Sequence, residues 1–357
     1  MSGNSGLVLF AGFCAWVATA LPVPALGQNR HVPELGEYLD HCEIAEPVVH
    51  RRLAVYPVLV RDLAELRGGW LTLDAAIARG VLEVNEKGGG GSVPVVTVEN
   101  RSRSQRVFIM SGEVISGGKQ TRTVRQDVIL APGQRIELSV FCVEAHRWQG
   151  GKKLSAGNAL VPQSIQKELR KGADQQRVWS EVSRNNRALG AENRTGSLEL
   201  ALKSGAARKK LAEVRRAVVP NIPRGTVGFI FVDGGRAVGA DFFGRDDLAR
   251  QLLPKLLDSY AVDLVIIHRA KPGGEIRKDH SAAIEFFERI RRAGSQRSKT
   301  PGSGSGIRTR ADRLLGDGVS LDATLVHYGV QIRDRIVPQP KPGPGRPVPF
   351  QQRNSNR

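Results

Sequence analysis

The sequence predicts an α+β fold: an antiparallel β-rich N-terminal part, followed by helices and further β-hairpins, in one compact domain. Three observations carry this. Residues 53–148 hold short β-branched runs cut by Gly, Asn-Arg-Ser and Pro-Gly turns. Residues 155–218 switch to apolar spacings of three and four. Residues 226–338 return to hairpin signals mixed with amphipathic helices. With 357 residues and 40% hydrophobic content, the chain can bury a large core.

Taken in order, residues 28–52 read as a poorly ordered lead-in. "RRLAVYPVLV" then alternates around Pro57 and reads as an edge strand. In "LTLDAAIARGVLEV", Asp74 can cap a short helix that Gly80 ends. "SVPVVTVENRS", "QRVFIM", "TRTVRQDVIL" and "QRIELSVFCVE" are short strands. In the helical section, Val178 and Val182 share a face. Thr195 is placed to cap the helix that carries Leu198 and Leu202. Leu211, Val214 and Val218 form a further stripe. "TVGFIFVDGGRAVGADFF" is a hairpin around Asp233-Gly234-Gly235. Leu248, Leu252 and Leu256 mark a helix that Pro254 is expected to bend or divide. "AVDLVIIHRA" reads as a strand and "SAAIEFFERIRRAG" as a helix. "GSQRSKTPGSGSG" reads as a flexible loop, and "LDATLVHYGVQIRDRIV" as a last hairpin. The Pro/Gly-rich basic tail, 339–357, is expected to be disordered. "FIMSGEVI", "FIFVDGGRAV" and "TLVHYGVQI" look alike, each a strand, a turn and a return strand; ordinary hairpin chemistry explains them as well as a repeat would.

Residues 1–27 read as a signal peptide. An apolar run ends in Ala25-Leu26-Gly27, whose small residues suit a signal peptidase. "MSGNSG" lacks the usual Lys or Arg, which leaves an uncleaved anchor or a misplaced start at Met1 as alternatives. No later segment is apolar for the roughly 18 residues that a membrane span needs. The protein is therefore expected to be periplasmic or extracellular. Cleavage would leave Cys42 and Cys142, which an oxidising compartment would allow to pair. His41, Cys42 and His50 are too loosely spaced for a zinc motif.

Lys and Arg number 53 against 35 Asp and Glu, a formal charge of +18. Lys152–Arg216 holds 15 basic and 6 acidic residues, and Arg269–Arg310 holds 11 and 4. Such a field favours nucleic acid, an acidic polymer or an anionic membrane surface. The plainer alternative is Arg-rich solvated faces, since the basic residues are not interleaved with aromatics.

"MSGEVISGGKQTRTVRQ" has the glycines and lysine of a phosphate loop. Counted from Gly112, however, Gly118 stands where the lysine belongs, and Gln120 replaces the Mg²⁺-binding hydroxyl. "TRTVRQDVIL" alternates at period two, so the lysine opens a strand rather than a helix. A polar β-hairpin remains, with Lys119, Thr121 and Thr123 expected on one face and Gln120 and Arg122 on the other.

From about Tyr56 to Pro338 the chain resembles the ARG and rhodanese-phosphatase-superfamily-associated protein domain family, a bacterial family of unknown activity. Gly112-Glu113, Gly117-Gly118-Lys119-Gln120-Thr121-Arg122, Cys142-Val143-Glu144 and Arg147-Trp148 carry the resemblance. Thr121, Gly118 and Phe141 depart from the family's usual Asn, Ala and Ser. The family name implies genomic company with ADP-ribose-processing proteins, and so a nucleotide-derived or phosphorylated ligand.

Glu113, Lys119, Gln120, Arg122, Glu144, Arg147 and Trp148 are thus the candidate ligand-binding residues. Arg offers a fork for carboxylate or phosphate, and Trp a stacking surface for a sugar. Glu113 and Glu144 are the candidate acid and base if the protein is a hydrolase or transferase. The structural alternative is that these charges pair with one another at strand ends. Cys142 and Asp233 have plain readings as a buried small residue and a turn residue. Nothing in the sequence names a cofactor.

Overall fold

The computed structural model describes residues 30–63, 66–86, 94–147, 154–267 and 280–333. The segment read as a signal peptide, Trp148 and the tail 339–357 lie outside the described residues.

The strand Leu53–Val60 organises the largest sheet. Leu53 and Val55 enter one core, while Ala54, Tyr56 and Val58 enter another. Period two sends successive side chains to opposite faces, and burial of both faces produces an unbroken apolar run. This strand pairs with Gly228–Asp233 on one side. On its other side it pairs with Cys42–Ile44 and Val48–His50. It is therefore an interior strand, not the edge strand that Pro57 suggests. The Pro57 carbonyl accepts from Ala45 N–H at 2.8 Å. The missing Pro57 N–H faces the same side, at the break between the two short partner strands, where no ladder bond is lost.

Beyond Gly228–Asp233 the sheet continues through Arg236–Phe243, Thr324–Ile332, Leu314–Leu321, Ser305–Thr309 and Gln296–Ser298. Every pairing in it is antiparallel. Helices Pro33–Asp40 and Ser281–Ala293 cover one face through Leu35, Tyr38, Leu39, Phe286 and Ile290. Helices Gly205–Val218 and Asp246–Ala261 cover the other. Residues 30–52 are thus part of the domain rather than a poorly ordered lead-in. Their eight-residue helix and three-residue strands are too short for periodicity to reveal.

Two smaller sheets pack face to face. One holds Val128–Leu130, Gln105–Ile109 and Gly69–Thr72; the last two strands run parallel. The other orders Leu154–Leu160, Glu113–Gly117, Arg122–Val124, Arg135–Cys142, Val95–Asn100 and Leu82–Glu86. Val107, Ile109, Val128 and Leu130 meet Val84, Val96, Val98 and Leu138 between them. The opposite face of the three-stranded sheet sends Phe108, Ile129 and Trp70 into the core beneath helix Asp246–Ala261.

Several sequence expectations change. Leu154–Leu160 is a strand, so the helical section begins at Gln163. Thr72, not Asp74, caps its helix, and Ser197, not Thr195, caps the next predicted one. Helix Asp246–Ala261 runs unbroken through Pro254. It continues as a π-helix over Val262–Ile267, where β-branched residues had suggested a strand. The loop expected over 294–306 contains two strands. Its glycines serve close packing: a Cβ on Gly302 would lie 2.2 Å from the Ile129 carbonyl oxygen. Thr324–Ile332 is one strand without a turn, and the last hairpin turns at Asp322-Ala323. "FIMSGEVI" joins strands of different sheets, so only the Asp233 example of the three look-alikes is a true hairpin. Cys42 and Cys142 are free thiols. Among the described residues, no helix is long and apolar enough to cross a membrane.

Candidate functional site

The polar hairpin exists: Glu113–Gly117 pairs with Arg122–Val124. Gly112 turns the chain into it at φ +84°, and a Cβ there would meet the Gln166 amide at 2.1 Å. That combination explains why glycine precedes Glu113. The expected face alternation does not hold, because the second strand starts only at Arg122. Gln120, Thr121, Arg122 and Thr123 are all buried, and Lys119 is exposed.

Glu113, Gln120, Arg122, Glu144 and Arg147 each have definite side-chain partners. Glu113 is fully buried, with Oε2 accepting from Met110 N–H at 2.8 Å. Its Oε1 accepts from Lys255 Nζ, which also donates to Asp74 Oδ2 at 2.8 Å. Burial pushes the Glu113 carboxyl up while Lys255 pulls it down. Burial pulls Lys255 down, and the Glu113 and Asp74 carboxylates outweigh it. An ammonium between two carboxylates is the arrangement the geometry supports, since Nζ donates to both.

Lys119 N–H and Arg122 Nη2 both donate to Glu86 Oε1, at 2.6 and 2.8 Å. Arg122 Nη1 donates to the Gln120 carbonyl, and Gln120 Nε2 to the Glu144 carbonyl. Glu144 Oε2 accepts from Thr121 N–H, Thr121 Oγ1 and Arg147 Nη2. Burial raises the Glu144 carboxyl, but Arg147, Thr121 and Thr195 together hold it below the usual carboxylate range. Arg147 Nη1 closes the turn on the Gly118 carbonyl at 2.7 Å. Glu113 and Glu144 therefore belong to separate networks. Trp148 lies outside the described residues.

A second buried polar cluster sits between the sheets. His327 Nδ1 faces Asp127 Oδ2 at 2.6 Å, and Nε2 faces Asp241 Oδ1 at 3.3 Å. Tyr260 donates to Asp241 Oδ2, and Ser111 N–H to Asp127 Oδ1. Burial opposes charge on His327, yet the two carboxylates prevail and raise its pKa to about 9. Sequence reasoning missed Lys255 and His327 as functional candidates. The signals were present as a Lys inside "LLPKLLDSY" and a His inside "TLVHYGV", each polar in an apolar face.

An open concavity lies elsewhere. Helix Ser281–Ala293 and the ends of strands Arg236–Phe243 and Thr324–Ile332 frame a groove of about 520 Å³. Lys167, Arg236, Arg289 and Arg313 line it with Glu285, over a floor that includes buried Phe286. Arg289 pairs with Asp312 at 3.3 Å. Arg236 and Arg313 are exposed, with no side-chain ion pair or hydrogen bond among the described residues. Asp233 does not neutralise Arg236, because Arg52 holds both its oxygens at 3.1 and 3.2 Å. Among the described residues, none of the six hairpin-centred candidates other than Trp148 lines this groove. Its cations come from four separate segments, so no local motif announces it. Among the described residues, no cluster of His, Cys, Asp and Glu could hold a metal ion.

The model of the ARG and Rhodanese-Phosphatase-superfamily-associated Protein domain matches residues 41–330, 290 of the chain's 357 residues. No curated protein and no solved structure matches the chain.

Proposed function

We propose that this chain, which belongs to the ARG and Rhodanese-Phosphatase-superfamily-associated Protein domain family, is an exported binding module for an anionic, phosphorylated or nucleotide-derived ligand. The observation that carries the proposal is the cationic groove. Four basic side chains and a single acidic one line it, and two of the cations have no partner among the described residues. Arg forks match phosphate oxygens, and the apolar floor can take the face of a sugar or base. The family name adds an analogy to ADP-ribose chemistry. Glu113, Gln120, Arg122, Glu144 and Arg147 act here as the brace of a sheet rather than as ligand contacts, because each side chain is engaged by neighbouring groups. The hydrolase or transferase alternative draws no support from Glu113 and Glu144, which are engaged in separate networks.

Calorimetric titration tests this with ADP-ribose, pyrophosphate, ribose 5-phosphate and uncharged ribose. The phosphorylated compounds should bind and ribose should not. Arg236→Glu combined with Arg313→Glu should weaken binding by more than about tenfold. Equal binding of ribose, or a double variant that binds like the parent, would refute the groove. Binding only to long polyanions, collapsing steeply with salt, would favour the acidic-polymer alternative.

A further inference from the structure

The cationic groove carries one acid, and that acid is unengaged. Glu285 lies on helix Ser281–Ala293, exposed in the groove wall. Arg289 stands one turn further along the same helix, at the spacing that favours a Glu–Arg pair. It is turned instead to Asp312, at 3.3 Å. Glu285 makes no side-chain ion pair or hydrogen bond among the described residues, although four cations line the same groove. Its carboxylate is therefore an open acceptor.

The two unengaged cations stand on a fixed frame. Arg236 opens strand Arg236–Phe243, and Arg313 precedes strand Leu314–Leu321. Strand Thr324–Ile332 lies between these two and pairs with both. Two strand spacings place the Arg236 and Arg313 backbones roughly 10 Å apart, a gap that two long guanidinium side chains can close on one phosphate. The pairing of Gly228–Asp233 with Arg236–Phe243 shifts register between Phe231 and Val232, which leaves Val238 as an extra residue. Bulges of this kind recur beside sites. Ala237 and Val238, at the bulge, and Ile332 are half-buried and offer an apolar surface in the same groove.

On the groove as the anion-binding site already proposed, we further propose that Glu285 sets its specificity. The ligand is then a sugar phosphate with adjacent free hydroxyls, its phosphate on Arg236 and Arg313 and its hydroxyl pair on Glu285. A carboxylate only accepts, so it calls for a donor. An ammonium donor would enter a groove with four cations against one acid, whereas neutral hydroxyls meet no such repulsion. A carboxylate on a ribose hydroxyl is also the pairing by which dinucleotide-binding folds hold their ribose. The same negative charge repels a ligand made of phosphate alone. Glu285 should thus favour a sugar phosphate and disfavour pyrophosphate.

Calorimetric titrations of the full chain with ribose 5-phosphate, 2-deoxyribose 5-phosphate, phosphoethanolamine and pyrophosphate test the proposal, in the parent and in Glu285→Gln. At this exposed position the variant should keep the parent's melting temperature. The parent should bind ribose 5-phosphate about tenfold more tightly than the deoxy sugar, the worth of one hydrogen bond to a charged acceptor. In Glu285→Gln that ratio should shrink, while pyrophosphate should bind severalfold more tightly because a like charge is gone. A residue with a merely structural role would not shift the two ligands in opposite directions. The proposal is overturned if the deoxy sugar binds the parent as well as ribose 5-phosphate does, or if Glu285→Gln keeps the parent's ratio. It is also overturned if pyrophosphate gains nothing in Glu285→Gln, or if phosphoethanolamine binds the parent most tightly of the four. In each case, pyrophosphate binding that Arg236→Glu with Arg313→Glu weakens would leave the groove itself standing. Pyrophosphate binding untouched by that double variant would remove the groove and the role of Glu285 together.

Discussion

His327 should make the fold weaken in mild alkali. Both of its ring nitrogens face carboxylate oxygens, at 2.6 Å from Asp127 and 3.3 Å from Asp241. A carboxylate only accepts, so donation at both nitrogens requires the imidazolium. The folded pKa is about 9, against 6.5 for a free imidazole. Because the folded value is the higher one, the stabilisation is fully present below pH 6.5 and is lost as pH rises through about 9. At 1.36 kcal/mol per pKa unit, the difference amounts to on the order of 3 kcal/mol. Urea unfolding followed from pH 6.5 to just above 9 should show that fall. The Cys142 thiol, pushed up by burial to about 11, stays out of this window. In His327→Gln the pH dependence should flatten. The variant should also be about 3–5 kcal/mol less stable near neutrality, because Asp127 and Asp241 lose their cation. A variant with the same pH slope as the parent would refute the assignment. So would a His327 ring resonance titrating near 6.5 in the folded protein.

Lys255→Met should cost about 3–5 kcal/mol in urea at neutral pH, since it strands Glu113 and Asp74. The triple variant with Glu113→Gln and Asp74→Asn should recover part of that loss, and a single variant within about 1 kcal/mol of the parent would remove the ion cluster from the account. If residues 1–27 are an export signal, N-terminal sequencing of the protein recovered from outside the cytoplasm should begin at Gln28; a protein that stays inside and retains Met1 would refute export.

The fold was legible where one period dominates a long stretch. Leu248, Leu252 and Leu256 mark a helix that buries all three, and Gly228–Asp233 with Arg236–Phe243 forms the hairpin that Asp-Gly-Gly announces. The misses fall where a run is too short or its pattern has two solutions. Val262–Ile267 is β-branched enough for a strand, yet the preceding sixteen-residue helix carries its register into it. Leu154–Leu160 shows no clean alternation because its pairing is bulged. Gly and Ser at 302–306 have linker composition, although a Cβ on Gly302 or Gly304 would lie 2.2 Å from the Ile129 or Ser320 carbonyl oxygen.

The candidate site was legible as an anomaly but not as a role. Polar residues in an apolar sheet have two physical solutions: they reach a ligand, or they satisfy one another. Choosing between them requires the partners, which lie far away in sequence. Arg122 finds Glu86 across 36 positions, and Glu113 finds Lys255 across 142. Neither separation is encoded near the hairpin. The groove shows the converse. Lys167, Arg236, Arg289 and Arg313 each look like an ordinary solvated cation in its own segment, and only the tertiary fold, in which Thr324–Ile332 pairs between Arg236–Phe243 and Leu314–Leu321, brings them to one concavity. Two of those cations remain unengaged by neighbours, whereas the hairpin's charged side chains, apart from exposed Lys119 and the undescribed Trp148, are engaged inward. The cationic groove is therefore where competition by pyrophosphate should be sought first.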